Sequence, residues 1–304
     1  MRGWWQDLTD LVLPAECSGC GKPRTVLCPR CRAALGGAVP RRVRPVPEPP
    51  GLPAVHAAAV YADEVRATLL AHKERGRLAL AAPLGAALAG AVRAGLREAA
   101  TGPRPGAVSV PVECGRSAVA GSGAARGQAP VLLVPVPSAR AAVRARGHDP
   151  ARRIALAAAG ELRRSGIAAR VLAVLRQRRA VSDQARLDSR QRLDNLAGAL
   201  GTVPGGARLL AGPVVLVDDL MTTGASLREA ARAVKSAVYA ARVREEMGEH
   251  GAGGPRKEGN PVYHAAEFVG ADDAGDVICA AVVAASPDSF VDKQELTENA
   301  RRCR

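Results

Sequence analysis

The stretch Val214 to Ser226, reading VVLVDDLMTTGAS, constrains the fold more than any other part of this chain. Its four leading apolar residues, Val214 to Val217, read as a buried strand, and Asp218 and Asp219 emerge at that strand's carboxyl end. Thr222, Thr223, Gly224, Ala225 and Ser226 then form a tight turn that opens into a helix over about Ser226 to Ala240. The unpaired N–H groups of such a turn, together with the positive end of the helix, suit a phosphate monoester. Gly224 lets the chain turn sharply around the anion. The hydroxyls of Thr222, Thr223 and Ser226 add donors. Two ionised carboxylates beside a phosphate are useful if the ligand also donates hydrogen bonds, as a vicinal diol does. Phosphate plus diol is the chemistry of ribose 5-phosphate. The plainer alternative is a strand that ends in two solvated acids before a helix capped by Ser226.

The rest of the chain alternates strand and helix. Helical patterns run from Glu64 to Glu74, Leu80 to Ala99, Pro150 to Arg164 and Gln184 to Leu196. Short apolar runs at Val131 to Val136, Val171 to Leu175, Val214 to Val217 and Val277 to Ala285 read as strands, with a basic loop after the first. Such alternation predicts an α/β fold with a parallel sheet flanked by helices, binding ligands at the carboxyl ends of its strands. The stretch from Thr101 to Pro130 and the acidic insertion before the last strand carry no periodicity and read as surface excursions.

Cys17, Cys20, Cys28 and Cys31 form two CxxC pairs, a spacing that supplies four thiolates for tetrahedral zinc. A module this small has no core of its own and needs the metal. Cys114, Cys279 and Cys303 are isolated and read as loop, core and tail residues. The Pro-rich stretch from Pro40 to Pro53 reads as a semi-rigid linker. At the start, Trp4, Trp5, Leu8, Leu11 and Val12 fall at helical spacing, and the short apolar run there does not make a signal peptide. The Ala-rich window from Leu78 to Val92 contains Pro83 and is shorter than a membrane span, so a cytoplasmic protein without a span is expected.

Charge is unevenly placed. Residues 131–210 hold 15 Arg, no Lys and 5 acids, whereas residues 236–277 hold 4 basic and 8 acidic residues. The first region would attract polyphosphate or nucleic acid and the second would repel both. Aromatic residues make up only 2% of the chain, which disfavours an extended platform for stacking bases.

The Val214–Ser226 segment resembles the phosphoribosyl diphosphate motif of type I phosphoribosyltransferases, and its surroundings are similar to the ComF family, which joins a cysteine-rich zinc module to such a domain. The family pattern is visible at Tyr61, Arg66, His72, Lys73 and Gly76, at Pro135-Val136-Pro137, at Arg144, Arg146 and Gly147, and at Gln184, Leu187, Arg190 and Asn195. His148-Asp149 departs from it, standing where the family usually has an aromatic residue followed by Asn.

The resemblance implies that Asp218 and Asp219 hold the ribose hydroxyls and that Thr222, Thr223, Gly224, Ala225 and Ser226 hold the 5-phosphate. It implies a diphosphate loop at Val136, Pro137, Ser138, Ala139 and Arg140, with Arg144 and Arg146 on a flexible loop and magnesium on the diphosphate. The expected organisation is a helix and zinc-binding module over residues 1–36, a linker over 37–58, a phosphoribosyltransferase-like domain over 59–290 with flexible segments at 101–130 and 241–276, and a tail over 291–304. The expected activity is phosphoribosyl transfer to an acceptor that the sequence does not identify. The other class of function is a competence accessory for DNA uptake that binds single-stranded DNA without sequence preference, with phosphoribosyl diphosphate or a nucleotide as regulator.

Overall fold

A computed structural model of the chain describes residues 16–101, 129–179, 189–248 and 277–290. The N-terminal amphipathic pattern, most of the two non-periodic stretches and the tail lie outside them, as do Gln184, Leu187, Cys114 and Cys303.

Six strands form the main sheet: β1 (Arg41–Val43), β2 (Val55–Val60), β3 (Val131–Pro135), β4 (Ala169–Val171), β7 (Val214–Met221) and β8 (Val277–Ala285). Their order is β1-β2-β8-β7-β3-β4, and every pairing is parallel except that of β1 with β2. Two more strands, β5 (Leu175–Gln177) and β6 (Leu200–Thr202), form a separate antiparallel pair. The helices are α1 (Pro29–Gly36), α2 (Asp63–Lys73), α3 (Ala81–Thr101), α4 (Arg140–Arg146), α5 (Pro150–Arg164), α6 (Ser189–Leu196) and α7 (Ala225–Gly248). The expected α/β architecture, a mostly parallel sheet with helices on its faces, is present.

Alternation along the strands divides the core into two layers. Leu133, Val215, Val217, Cys279, Ala281 and Val283 face α2, α3 and α5, whereas Leu132, Val134, Leu216, Ala280 and Val282 face α7 and β5–β6. Both faces are covered, which is why the strands read as continuous apolar runs.

The Ala and Gly richness of the helices has a packing cause. A Cβ on Gly85 of α3 would lie 2.4 Å from the Ala157 Cβ of α5, and one on Gly95 would lie 2.6 Å from the Cys279 Sγ of β8. Small residues on α3, α5 and β8 therefore let the two helices lie close to each other and to the sheet. Burial there pushes the Cys279 thiol up to about 12, in keeping with its expected core role.

Helix α3 is longer than the window judged too short for a membrane. The stretch Leu78–Thr101 is long and apolar enough to cross one, yet Leu84, Leu88 and Val92 of that helix are buried in the protein core.

Several segments differ from the sequence reading. The expected linker over 37–58 is not only a connector, because Arg41–Val43 adds an edge strand to the sheet and β2 (Val55–Val60) begins within it. The apolar run near Val171 to Leu175 splits into β4 and β5, which belong to different sheets. The helix expected to end near Ala240 continues to Gly248.

The close approach of α3 and α5 is open to test. Gly85→Ala should destabilise the protein by about 1–3 kcal/mol through overpacking. Gly160→Ala in α5 has open space around the new Cβ and should be neutral or stabilising by up to about 1 kcal/mol. Chemical denaturation of both variants checks the contrast, and equal effects would place the helices further apart.

Candidate functional site

Pairing of β3 with β7 ends at Pro135 opposite Val217, apart from one further bond of 2.9 Å in which the Val136 N–H donates to the Val217 carbonyl. Pairing of β7 with β8 continues through Asp218, Leu220 and Met221. The two acids are therefore not beyond the strand, as the sequence reading had them, but inside it. They lie where one flank of β7 has lost its neighbour.

Adjacent strand residues leave the backbone in opposite directions, so the two carboxylates are not equivalent. Asp219 is buried on the side of α2, and its Oδ2 lies 3.1 Å from the Lys73 Nζ. The Asp219 carboxylate beside it holds the Lys73 ammonium above its usual range. Asp218 is half-buried, and its Oδ1 accepts the Asp219 N–H at 2.8 Å. Burial, and next the neighbouring Asp219 charge, push the Asp218 carboxyl well above the ordinary aspartate range, against the opposing pull of Lys73. A diol donor or a cation would stabilise its ionised form.

The turn that follows has the expected shape. Gly224 adopts a left-handed conformation with φ of 74° and stands immediately before α7, its carbonyl accepting the Arg228 N–H at 2.9 Å. The helix begins at Ala225, so Ser226 lies inside its first turn and is not the residue that caps it. Thr222 is exposed, Thr223 and Ser226 are half-buried, and Gly224 and Ala225 are buried.

Part of that burial comes from the Pro-rich stretch. A Cβ on Gly224 would lie 3.0 Å from the Leu52 Cδ2, and the Arg228 Nε donates to the Pro50 carbonyl at 3.1 Å. On the other side, Leu196 of α6 packs against Ala225. Of the remaining family positions, Arg190 is exposed and Asn195 half-buried on α6.

After β3, Val136 is buried, Pro137 and Ser138 are half-buried, and Ala139 and Arg140 are exposed. Pro137, Ser138, Arg140 and Arg144 line an open cavity of about 370 Å³ that Arg176 of β5 also borders. Arg144 and Arg146 do not lie on a loop. They belong to α4, which Gly147 ends in a left-handed conformation, and the Ala and Arg content of RAAVRAR favours that helix.

The two arginines diverge. Arg144 is exposed beside the cavity, while the half-buried Arg146 places its Nε 3.9 Å from the Glu74 Oε2. Its buried Nη1 has no hydrogen-bond partner among the described residues. His148 places its ring nitrogens 3.1 Å from the Arg146 carbonyl and 3.3 Å from that of His72, with the two imidazoles 5.7 Å apart. Asp149 caps α5 by accepting the Arg152 N–H at 3.3 Å, a role open equally to Asn.

Lys73 is the site residue for which the sequence reading gave no role. In a chain whose basic residues are nearly all Arg, with Lys at only five positions, its presence was the available signal. Its neighbour His72 is fully buried, and that burial lowers its pKa.

The four N-terminal cysteines converge as expected. All four Sγ atoms lie within 4.8 Å of one another, and those of Cys20 and Cys28 are 3.6 Å apart. Tetrahedral zinc thiolates, with bonds near 2.3 Å, space their sulfurs ~3.8 Å apart, so the cluster suits a metal such as zinc. Cys17, Cys28 and Cys31 are buried, and the Cys28 N–H donates to the Cys17 Sγ at 3.3 Å. Burial opposes ionisation of Cys17, but N–H donors from Cys28, Cys20 and Gly19 outweigh it and bring the thiol down to about 6. Gly19 is required here because a Cβ would lie 2.7 Å from the Cys31 Sγ.

Neither a scan of protein-family models nor a search of curated proteins matched this chain.

The protein should purify with one zinc per chain, and Cys28→Ser should lower that content sharply. Metal analysis with hydrogen exchange checks this. Metal-free protein whose residues 16–36 remain fully protected would contradict a metal-dependent module.

Proposed function

We propose that this chain is a ComF-type protein whose α/β domain has the type I phosphoribosyltransferase fold and binds phosphoribosyl diphosphate with magnesium. The observation that carries the reading is the sequence of groups along β7: two non-equivalent carboxylates where β3 has stopped, then a turn through Gly224 onto the N-terminus of α7. Phosphate on the turn and ribose hydroxyls at the carboxylates match that order of groups.

In this reading the N–H groups of Thr222 to Ser226 and the threonine hydroxyls hold the 5-phosphate. Asp218 and Asp219 accept the ribose hydroxyls, with Lys73 paired to Asp219 behind them. The segment Val136 to Arg140, with Arg144 beside it, faces the diphosphate. Magnesium bound with the diphosphate would neutralise its charge and make it a better leaving group. A nucleophile then attacks C1 of the ribose as the bond to diphosphate breaks, with positive charge developing on the ring. The protein contributes positioning and stabilisation of the departing anion.

Replacing both Asp218 and Asp219 by Asn removes the charge and exchanges an acceptor for a donor at nearly constant size. Affinity for phosphoribosyl diphosphate should fall at least about tenfold, the equivalent of one charge-assisted hydrogen bond. Inorganic phosphate, which has no diol, should bind as well as before or better. Calorimetry on both ligands decides it, and unchanged affinity for phosphoribosyl diphosphate would leave a phosphate turn without a ribose site.

A further inference from the structure

Away from the β7–α7 turn, two cavities of about 700 and 470 Å³ adjoin in the groove between β5–β6 and the C-terminal half of α7. Arg176, Arg178, Thr202 and Arg244 line both, Arg208 lines the larger, and the half-buried Arg232 lines the smaller. Arg176, Arg178, Arg208 and Arg244 are exposed, and no carboxylate borders either cavity among the described residues. The nearby Glu229 is already committed, accepting the Leu200 N–H at 3.1 Å and bonding Arg232 at 2.7 Å. Four guanidinium groups around one volume repel each other, and an anion of several charges relieves that repulsion. Guanidinium is also the side chain best matched to phosphate oxygens.

The remaining wall carries Tyr239 of α7, which is 43% exposed. One accessible ring offers a stacking surface for one base, whereas a groove for single-stranded nucleic acid needs a succession of them. The cavities also fall within the size range of small-molecule sites. We propose that this groove binds a nucleoside triphosphate, with its phosphates on Arg176, Arg178, Arg208 and Arg244 and its base against Tyr239. The groove contains none of the turn residues Thr222 to Ser226, and Arg176 is the one residue it shares with the cavity beside Pro137 and Arg144. It stands whether or not the chain binds phosphoribosyl diphosphate.

Calorimetry with ATP, inorganic triphosphate, and short and long oligothymidylates tests the proposal on the full chain. ATP should bind, and the exposed substitutions Arg178→Ala and Arg208→Ala should each weaken it about tenfold. Tyr239→Ala should weaken ATP binding while leaving inorganic triphosphate unchanged, which separates the base contact from the phosphate contacts. The proposal is overturned if ATP fails to bind or if the arginine variants bind it normally. It is also overturned if oligothymidylate affinity rises with length beyond that of ATP, because the groove would then serve a strand.

Discussion

β7 continues to Met221 while β3 stops pairing with it at Val217, and the candidate site is built on that mismatch. Beyond Val217 the strand is held by β8 on one flank, leaving the other open to a ligand. Carboxylates placed there are partly withdrawn from water, which is costly unless they are paired or hydrogen-bonded. Lys73 meets that need for Asp219, whereas for Asp218 a backbone N–H offsets only part of it and its carboxyl stays well above the ordinary range. The turn at Gly224 is then carried by the end of the same strand, braced by Leu52 on one side and by α6 on the other.

The Lys73–Asp219 pair links the site to α2, and α2 in turn supports the cysteine module. Leu27, Leu35, Cys28 and Cys31 belong to the same core cluster as Val65 and Leu69 of that helix, and Arg30 pairs with Glu64 near its start. The module thus packs on the flank of the helix whose last turn presents His72 and Lys73. A module without a core of its own would loosen if its four thiolates held no metal, and α2 is among the elements it packs on.

The elements legible in the sequence were those whose burial leaves a periodic signature. Pro150–Arg164 begins with an Asp-Pro cap signal and carries one apolar face, and Val277–Ala285 is an unbroken apolar run, so both were read with the bounds they have. β1, β5 and β6 are three residues long and partly polar, too short for any period to show. α4 reads as a basic loop in the sequence, and the family resemblance implies a flexible loop at Arg144 and Arg146, although alanine and arginine both favour helix. At the site, the acids and the turn were visible as a contiguous motif. Lys73 was visible only as a family position without a role, and the bracing by Leu52 and Pro50 was not visible, because what brings them there is contact across more than a hundred residues of chain.

The most direct test of the ribose 5-phosphate reading is a crystal structure of the protein with phosphoribosyl diphosphate and magnesium. The 5-phosphate is expected on the backbone N–H groups of the turn from Thr222 to Ser226, with the ribose hydroxyls within hydrogen-bond distance of the Asp218 and Asp219 carboxylates. Ligand density only among arginines elsewhere, with the turn and both carboxylates untouched, would contradict it.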